Sequence, residues 1–313
     1  MKKATSDTKM SENFTKNLPP KFIQNISGLY GAKGKKWLKD LPDILAEICQ
    51  KWSLQIDKVF PNLSFNFVAL CVNKSGEKYV LKVGVPEKDS SIIYEKRALQ
   101  AFDGQGAVKV IKFDKKRCVM LLERAIEGKT LGEVCGEDYE KAVKIAVDVM
   151  QKLPRNPLNK NEFINLETWI NGLKKAVKAN FELEKVSQAQ KYFAELMEPF
   201  ERKILLHGDI HFDNILSAQR EPFLVIDPKG VVGEIGYEIA VFLNDLAGWT
   251  EHLANRKEIL TRAIASFSQV FDVTPENLRK WAFSFAILSA WWMMEDFGEK
   301  DEKTLNLANI WEA

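Results

Sequence analysis

Three polar side chains stand at short, fixed intervals in an otherwise apolar part of the chain. Ile204-Leu-Leu-His-Gly-Asp-Ile-His-Phe-Asp-Asn-Ile-Leu216 carries Asp209 and, five residues later, Asn214. Phe223-Leu-Val-Ile-Asp-Pro-Lys-Gly230 carries Asp227, thirteen residues after Asn214. A carboxylate, an amide and a second carboxylate are what phosphoryl transfer asks of a protein, because that reaction needs positioning and charge neutralisation more than covalent help. Asp209 would face an attacking hydroxyl, orient it and accept its proton. Magnesium prefers hard oxygen ligands, which Asn214 and Asp227 offer, with phosphates and water completing the shell. Carboxylates crowded together raise each other's pKa, and a bound cation removes that penalty. The plainer alternative is that Asp209 and Asp213 form a polar turn between two strands.

The flanking residues must position these groups. Lys203–Leu206, Ile215–Leu216 and Phe223–Ile226 read as short buried strands that present polar side chains from the loops between them. Upstream, Phe65–Val72 and Lys78–Val83 read as strands joined by the turn Asn73-Lys-Ser-Gly-Glu77. Lys82 lies inside the second of these, where an unpaired ammonium is costly to bury. Ser90–Phe102 reads as a helix capped by Ser90 or Ser91, and Glu95 on it is the expected partner of Lys82. The alternative is an edge-strand lysine and a surface glutamate. Cys118–Leu131 reads as a strand, a polar connector and a helix. From there the pattern is helical, over Gly136–Leu153, Phe163–Phe181, Ser187–Phe200, Ile235–Gly248, Arg256–Phe271 and Pro275–Phe297. Trp281, Phe285, Leu288 and Trp292 recur at helical spacing and read as core. Before the strands, Trp37–Trp52 reads as an amphipathic helix around Pro42.

Composition narrows the function classes. The 313 residues suffice for one two-lobed unit or two modest domains, with a sizeable core, and a net charge of +2 gives no reason to expect nucleic acid as a partner. Cys49, Cys71, Cys118 and Cys135 lie in or beside apolar runs without metal spacing, which suggests reduced core thiols in a cytoplasmic protein. Of three histidines, His207 and His211 fall in the Asp209 stretch, so no zinc site is expected. His207 is expected to orient Asp209 or to pack beneath it. No apolar run of about 18 residues exists, so no membrane span is expected. Met1–Pro20 is polar and lysine-rich, and is read as a mobile tail without a secretory signal.

The chain resembles the aminoglycoside phosphotransferase superfamily, and within it the streptomycin 6-kinase-like group of aminoglycoside/hydroxyurea resistance kinases. The residues that carry this are Tyr30-Gly-Ala-Lys-Gly-Lys-Lys-Trp-Leu-Lys-Asp-Leu-Pro42, His207–Leu216 and Ile226–Ala240, within a likeness running from Lys21 to the C-terminus. The resemblance implies an α+β, protein-kinase-like bilobal fold. Residues 1–20 would be the tail, 21–125 a small nucleotide-binding N-lobe with an antiparallel sheet, and 126–313 a larger, mostly helical C-lobe with the catalytic loop and substrate site. By the same resemblance Asp209 is the catalytic base, Asn214 and Asp227 hold Mg2+, and Lys82 with Glu95 anchors the phosphates of ATP or GTP. Ser64 and Asn66, in the loop Phe60–Asn66, would contact phosphates. Glu123 and Ala125 would meet adenine through backbone groups, with Leu122 near the base; the alternative is an ordinary strand-to-helix loop.

Antibiotic kinases of the superfamily hold polycationic sugars with carboxylates near their C-terminal helices. Glu234, Glu238, Glu295 and Asp296 are the candidates here, with helix capping or solvent as the alternative for each. The departures also inform. His207-Gly-Asp has no basic residue beside the base, Asp227 is followed by Pro-Lys, and the loop Phe60–Asn66 has no glycine. These favour a small-molecule acceptor over a protein. The expected activity is ATP-dependent O-phosphorylation of a small-molecule hydroxyl, foremost an aminoglycoside such as streptomycin. A housekeeping kinase of a sugar or amino alcohol and a non-catalytic nucleotide-binding module are the alternatives. Oligomeric state is not legible.

Overall fold

The computed structural model describes residues 18–87, 90–156 and 159–312, so nearly all of the expected tail lies outside the described residues. Two compact units divide the chain. The first takes the described residues up to Lys96 together with Lys109–Arg124; the second takes Arg97–Val108 and the residues from Ala125 onward.

The first unit opens with α1 (Pro20–Trp52), longer than the expected Trp37–Trp52. Proline suits the first helical position, where its missing N–H would have no partner. Trp37, Leu41, Leu45, Ile48 and Trp52 recur every three or four residues and are buried. The helix breaks at Gly31, whose φ of 54° and ψ of −130° are not helical. Past the break the backbones approach so closely that a Cβ on Gly34 would lie 2.2 Å from the Ile26 carbonyl oxygen. Phe22 and Ile26 thereby enter the same core as the rest of the helix. Behind α1 stands a five-stranded antiparallel sheet in the order β1-β2-β3-β5-β4. Its strands are β1 (Leu54–Val59), β2 (Phe67–Asn73), β3 (Lys78–Val83), β4 (Val110–Asp114) and β5 (Val119–Glu123). Alternate residues Phe67, Ala69 and Cys71 of β2 face the core that α1 covers. α2 (Ser91–Phe102) lies between β3 and β4 in sequence.

The second unit carries α3 (Leu131–Cys135), α4 (Tyr139–Lys152), β6 (Ile164–Asn165), α5 (Leu166–Ile170), α6 (Leu173–Lys178) and α7 (Leu183–Leu196). It continues with β7 (Ile204–Leu206), β8 (Ile215–Ser217), β9 (Phe223–Val225) and β10 (Val231–Gly233). It ends with α8 (Ile235–Trp249), α9 (Arg256–Phe271), α10 (Pro275–Phe297) and α11 (Glu302–Trp311). β10 pairs parallel with β6 and antiparallel with β7, and β8 pairs antiparallel with β9.

Helices α9 and α10 have the expected bounds. The single helix expected over Phe163–Phe181 is instead a short strand and two short helices, because the Asn165 side chain accepts the Glu167 N–H and caps a new start. Helix α7 stops at Leu196, ahead of Pro199, rather than reaching Phe200. None of the four cysteines is in a disulfide; Cys49 is half-buried and the others are buried. Burial pushes the Cys71 thiol up to about 12. Among the described residues no helix is long and apolar enough to cross a membrane.

Buried Asn244 ties three helices of this unit. Its Nδ2 donates to the carbonyls of Ala240 in α8 and Ala282 in α10, each at 2.9 Å, and its Oδ1 accepts the Trp311 Nε1–H of α11 at 3.1 Å. Asn244→Ala would strand a buried indole N–H and a buried carbonyl. We expect a loss of about 2–4 kcal/mol in unfolding free energy, read as a lowered urea midpoint, while Asn244→Gln loses less.

Candidate active site

Strand ends place the polar groups. β7 and β10 pair with Leu206 opposite Val231, and β8 and β9 pair with Ile215 opposite Val225. The loop His207–Asn214 joins β7 to β8, and Ile226–Gly230 joins β9 to β10. In the first loop Ile210 and Phe212 are fully buried. Phe212 stacks on Phe242 and Trp249 of α8, with centroids 5.3 and 5.0 Å away. These apolar anchors alternate with Asp209, His211 and Asp213, which remain partly or fully exposed.

The loop backbone is held from below by a side chain. Glu238, fully buried in the first turn of α8, accepts the His207 N–H at 3.1 Å and the Gly208 N–H at 2.7 Å. Arg155 neutralises it at 2.8 Å and also donates to the carbonyls of Leu205 and Met150. Asp245 accepts the Phe212 N–H at 2.8 Å, and burial pushes its carboxyl above the usual range. His207 is fully buried. Its Nδ1 accepts the Asp209 N–H at 3.2 Å, so its proton sits on Nε2 and is donated to the Ile226 carbonyl at 2.8 Å. That bond joins the two loops, and burial holds the ring's pKa below its ordinary value, hence neutral.

Asn214 donates from Nδ2 to the Asp209 carbonyl at 2.9 Å and to Asp209 Oδ2 at 3.4 Å. Its amide oxygen is therefore the end turned away from Asp209 and remains a hard donor. The Asn214 carbonyl accepts the Ile226 N–H at 3.0 Å, which brings the next residue, Asp227, alongside. Asp227 has φ 59°, a left-handed backbone that costs a non-glycine residue energy. Its carboxylate is 39% exposed, open to a cation. Lys229 completes the cluster: its Nζ lies 2.9 Å from Asp209 Oδ2 and 3.5 Å from Asp227 Oδ2. One ammonium thus does between two carboxylates what a cation must do there. Asn214 and Asp227 fit a magnesium ion that shares its shell with phosphates. Among the described residues no group of three or more His, Cys, Asp or Glu offers an all-protein cage.

In the first unit Lys82 of β3 and Glu95 of α2 form an ion pair at 2.7 Å, both almost fully buried. Ser64 is exposed, and its carbonyl accepts from Asn25 of α1 at 3.2 Å. The Asn66 side-chain oxygen faces Gly84, 2.9 Å from where a Cβ would stand. Leu122 is buried in β5. Glu123 spends its N–H on the Lys109 carbonyl and its carboxylate on the Lys109 N–H, both at 2.9 Å, so its amide donor is not available to adenine. Ala125 is buried at the start of the second unit's main segment.

Two of the four acidic substrate candidates require correction. Glu238 has no exposure and spends both oxygens on the loop, so it supports the Asp209 loop instead of facing a substrate. Glu234 turns inward at the start of α8, accepting the Glu198 N–H at 2.9 Å, with Lys203 4.0 Å away and its pKa raised by burial. Glu295 and Asp296 stand exposed at the end of α10, with Glu295 paired to Lys175 at 2.6 Å. Lys229, Arg155 and Asp245 were not singled out by sequence. Only Lys229 left a trace, as the odd cation in Asp-Pro-Lys-Gly.

Because the folded state holds His207 neutral and the unfolded chain does not, stability falls as pH drops through about 6.5, at up to about 1.4 kcal/mol per unit until the folded pKa is reached. The raised carboxyls of Asp245 and Glu234 act oppositely, through their own raised pKa values at lower pH. Thermal melts from pH 8 to 5.5 should show that loss, and His207→Gln should flatten it.

Comparison with known proteins places the chain in a family. The family model for aminoglycoside/hydroxyurea antibiotic resistance kinases matches residues 51–297. A streptomycin 6-kinase of Streptomyces glaucescens is 25% identical over 307 residues, covering 92% of this chain and 94% of that protein. A hydroxyurea phosphotransferase of Kitasatospora aureofaciens is 28% identical over 291 residues, covering 89% of this chain and 81% of that protein. A thermostable mutant of aminoglycoside phosphotransferase APH(4)-Ia, solved with ADP and hygromycin B, superposes with a TM-score of 0.62 at 14% identity, over 85% of this chain and 96% of that one. The last likeness fixes the fold as α+β of the protein-kinase-like kind. With four-fifths of its length inside the family model, this chain belongs to the aminoglycoside/hydroxyurea antibiotic resistance kinases and is a phosphotransferase acting on hydroxyl groups.

Proposed function

We propose that this chain transfers the γ-phosphoryl group of ATP, with magnesium, to a hydroxyl of an aminoglycoside of the streptomycin kind, in the cytoplasm. The observation that carries the reading is the Asp209 carboxylate: its loop is tied down on both sides, with Asn214 and Lys229 on one of its oxygens and Asp227 alongside. Asp209 orients the acceptor O–H and takes its proton as the new bond forms from acceptor oxygen to γ-phosphorus. The bond from γ-phosphorus to the bridging oxygen breaks, and ADP leaves with that oxygen. Asn214 and Asp227 would hold magnesium, which supplies charge neutralisation to the phosphates. Lys82, fixed by Glu95, would meet the phosphates; Ser64 and Asn66 would border them; Leu122 and the backbone at Glu123 and Ala125 would border adenine.

The named activity of the streptomycin 6-kinase relative, alignable along nearly the whole chain, supports the choice of acceptor. A second reading, a kinase of an uncharged hydroxyl metabolite, is favoured by one feature: Glu234 and Glu238 are committed inward, leaving Glu295 and Asp296 as the acidic candidates for a polycation.

A magnesium-dependent assay of ADP release, with streptomycin, other aminoglycosides, hydroxyurea and common hydroxyl metabolites, tests this. We expect streptomycin to stimulate turnover, and Asp209→Asn to lower kcat by roughly 10³-fold with ATP affinity kept. Streptomycin-independent turnover of a metabolite would move the assignment to the second reading. An Asp209→Asn enzyme of undiminished kcat would remove Asp209 from the chemistry.

A further inference from the structure

Resting on the kinase reading above, we propose that Lys229 is a positioning residue for phosphoryl transfer. It is a built-in counter-ion that fixes the base carboxylate and gives up its contact with Asp227 when metal arrives with the nucleotide. The geometry is specific. Nζ reaches Asp209 Oδ2 at 2.9 Å and Asp227 Oδ2 at 3.5 Å, so the shorter contact is to the base. Asp209 Oδ2 also receives Asn214 Nδ2 at 3.4 Å, which leaves Oδ1 as the oxygen for an acceptor hydroxyl. His211 Nε2 stands 4.0 Å from the same Oδ2, beyond hydrogen-bond reach, and does not substitute.

The backbone sets where this ammonium can go. The Lys229 N–H donates to the His207 carbonyl at 2.7 Å, followed by the Gly230 N–H at 3.3 Å. The lysine stem therefore starts from backbone that is hydrogen-bonded to the Asp209 loop. Gly208, at φ 83°, makes the approach possible: a Cβ there would lie 2.9 Å from Val231 Cγ2 and 3.5 Å from Lys229 Cβ. Pro228 stiffens the step from Asp227 to Lys229.

The charge count gives the direction of change. Two carboxylates and one ammonium leave a net negative site that attracts a divalent ion. Nζ would be repelled by a divalent ion held at Asp227 while keeping its shorter contact with Asp209, and it is 36% exposed. Without the ammonium, the base loses an anchor while the metal loses a competitor. Activity and metal affinity should therefore move in opposite directions, which mere packing by Lys229 would not produce.

The test uses the full chain with Lys229→Met and Lys229→Arg. Steady-state kinetics with the best acceptor from the panel gives kcat and KM, and Mn2+ titration of the ADP complex by electron paramagnetic resonance gives metal affinity. We expect Lys229→Met to lower kcat about 100-fold with the acceptor KM within about 3-fold, to bind Mn2+ at least about 3-fold more tightly, and Lys229→Arg to recover most of kcat. Unchanged or weaker Mn2+ binding in Lys229→Met, or a kcat within about 3-fold of the parent, would overturn the role. Should Lys229→Met not fold, Lys229→Gln carries the same two measurements. The Mn2+ titration needs no acceptor, so failure of the acceptor assignment and failure of this role are distinguishable.

Discussion

Two backbone amides of the Asp209 loop, those of His207 and Gly208, donate into one carboxylate that has no contact with solvent. A buried Glu238 would be prohibitively costly without compensation, and Arg155 supplies it from a separate segment of the chain. Much of the site hangs on this exchange. With the amides pinned, the loop can turn at Gly208, place the Asp209 N–H on His207 and send the His207 Nε2–H to Ile226. The second loop, bearing Asp227 and Lys229, is thereby locked to the first.

The same arrangement explains how two carboxylates can stand close together. Asp209 and Asp227 are gathered by strand pairing whether or not a cation is present, and gathering them raises the energy of both. Lys229 offsets that cost within the protein, and the left-handed backbone of Asp227 shows that the turn is held against its own preference. Two short loops anchored by strand pairing at their ends carry these groups, so their arrangement does not wait for a ligand.

The clustering of Asp209, Asn214 and Asp227 was legible because its information is local: short apolar runs must be buried, and the polar residues between them then have few places to go. Lys82 and Glu95 were legible for a similar reason, since a lysine inside an apolar strand demands a partner. Glu238 was misread because a charge in the first turn of a helix looks solvated until its neighbours are known, and its partners His207, Gly208 and Arg155 lie 31, 30 and 83 residues away. The same holds for Lys229, whose partner Asp209 lies in another loop. The helix start at Leu166 and the extension of α1 to Pro20 escaped notice because one cap at Asn165 and one kink at Gly31 outweigh a periodic pattern.

The Asp209, Asn214 and Asp227 cluster is thus built from local motifs, whereas the supporting contacts of Glu238, Arg155 and Lys229 come from tertiary placement that sequence spacing does not reveal. Phosphorus-31 nuclear magnetic resonance reads the fate of the γ-phosphoryl group directly. With enzyme, Mg2+, ATP and streptomycin, the account predicts that the γ-phosphate signal gives way to a phosphomonoester of streptomycin in step with ADP. Conversion to inorganic phosphate alone, or an ATP spectrum that does not change, would contradict it.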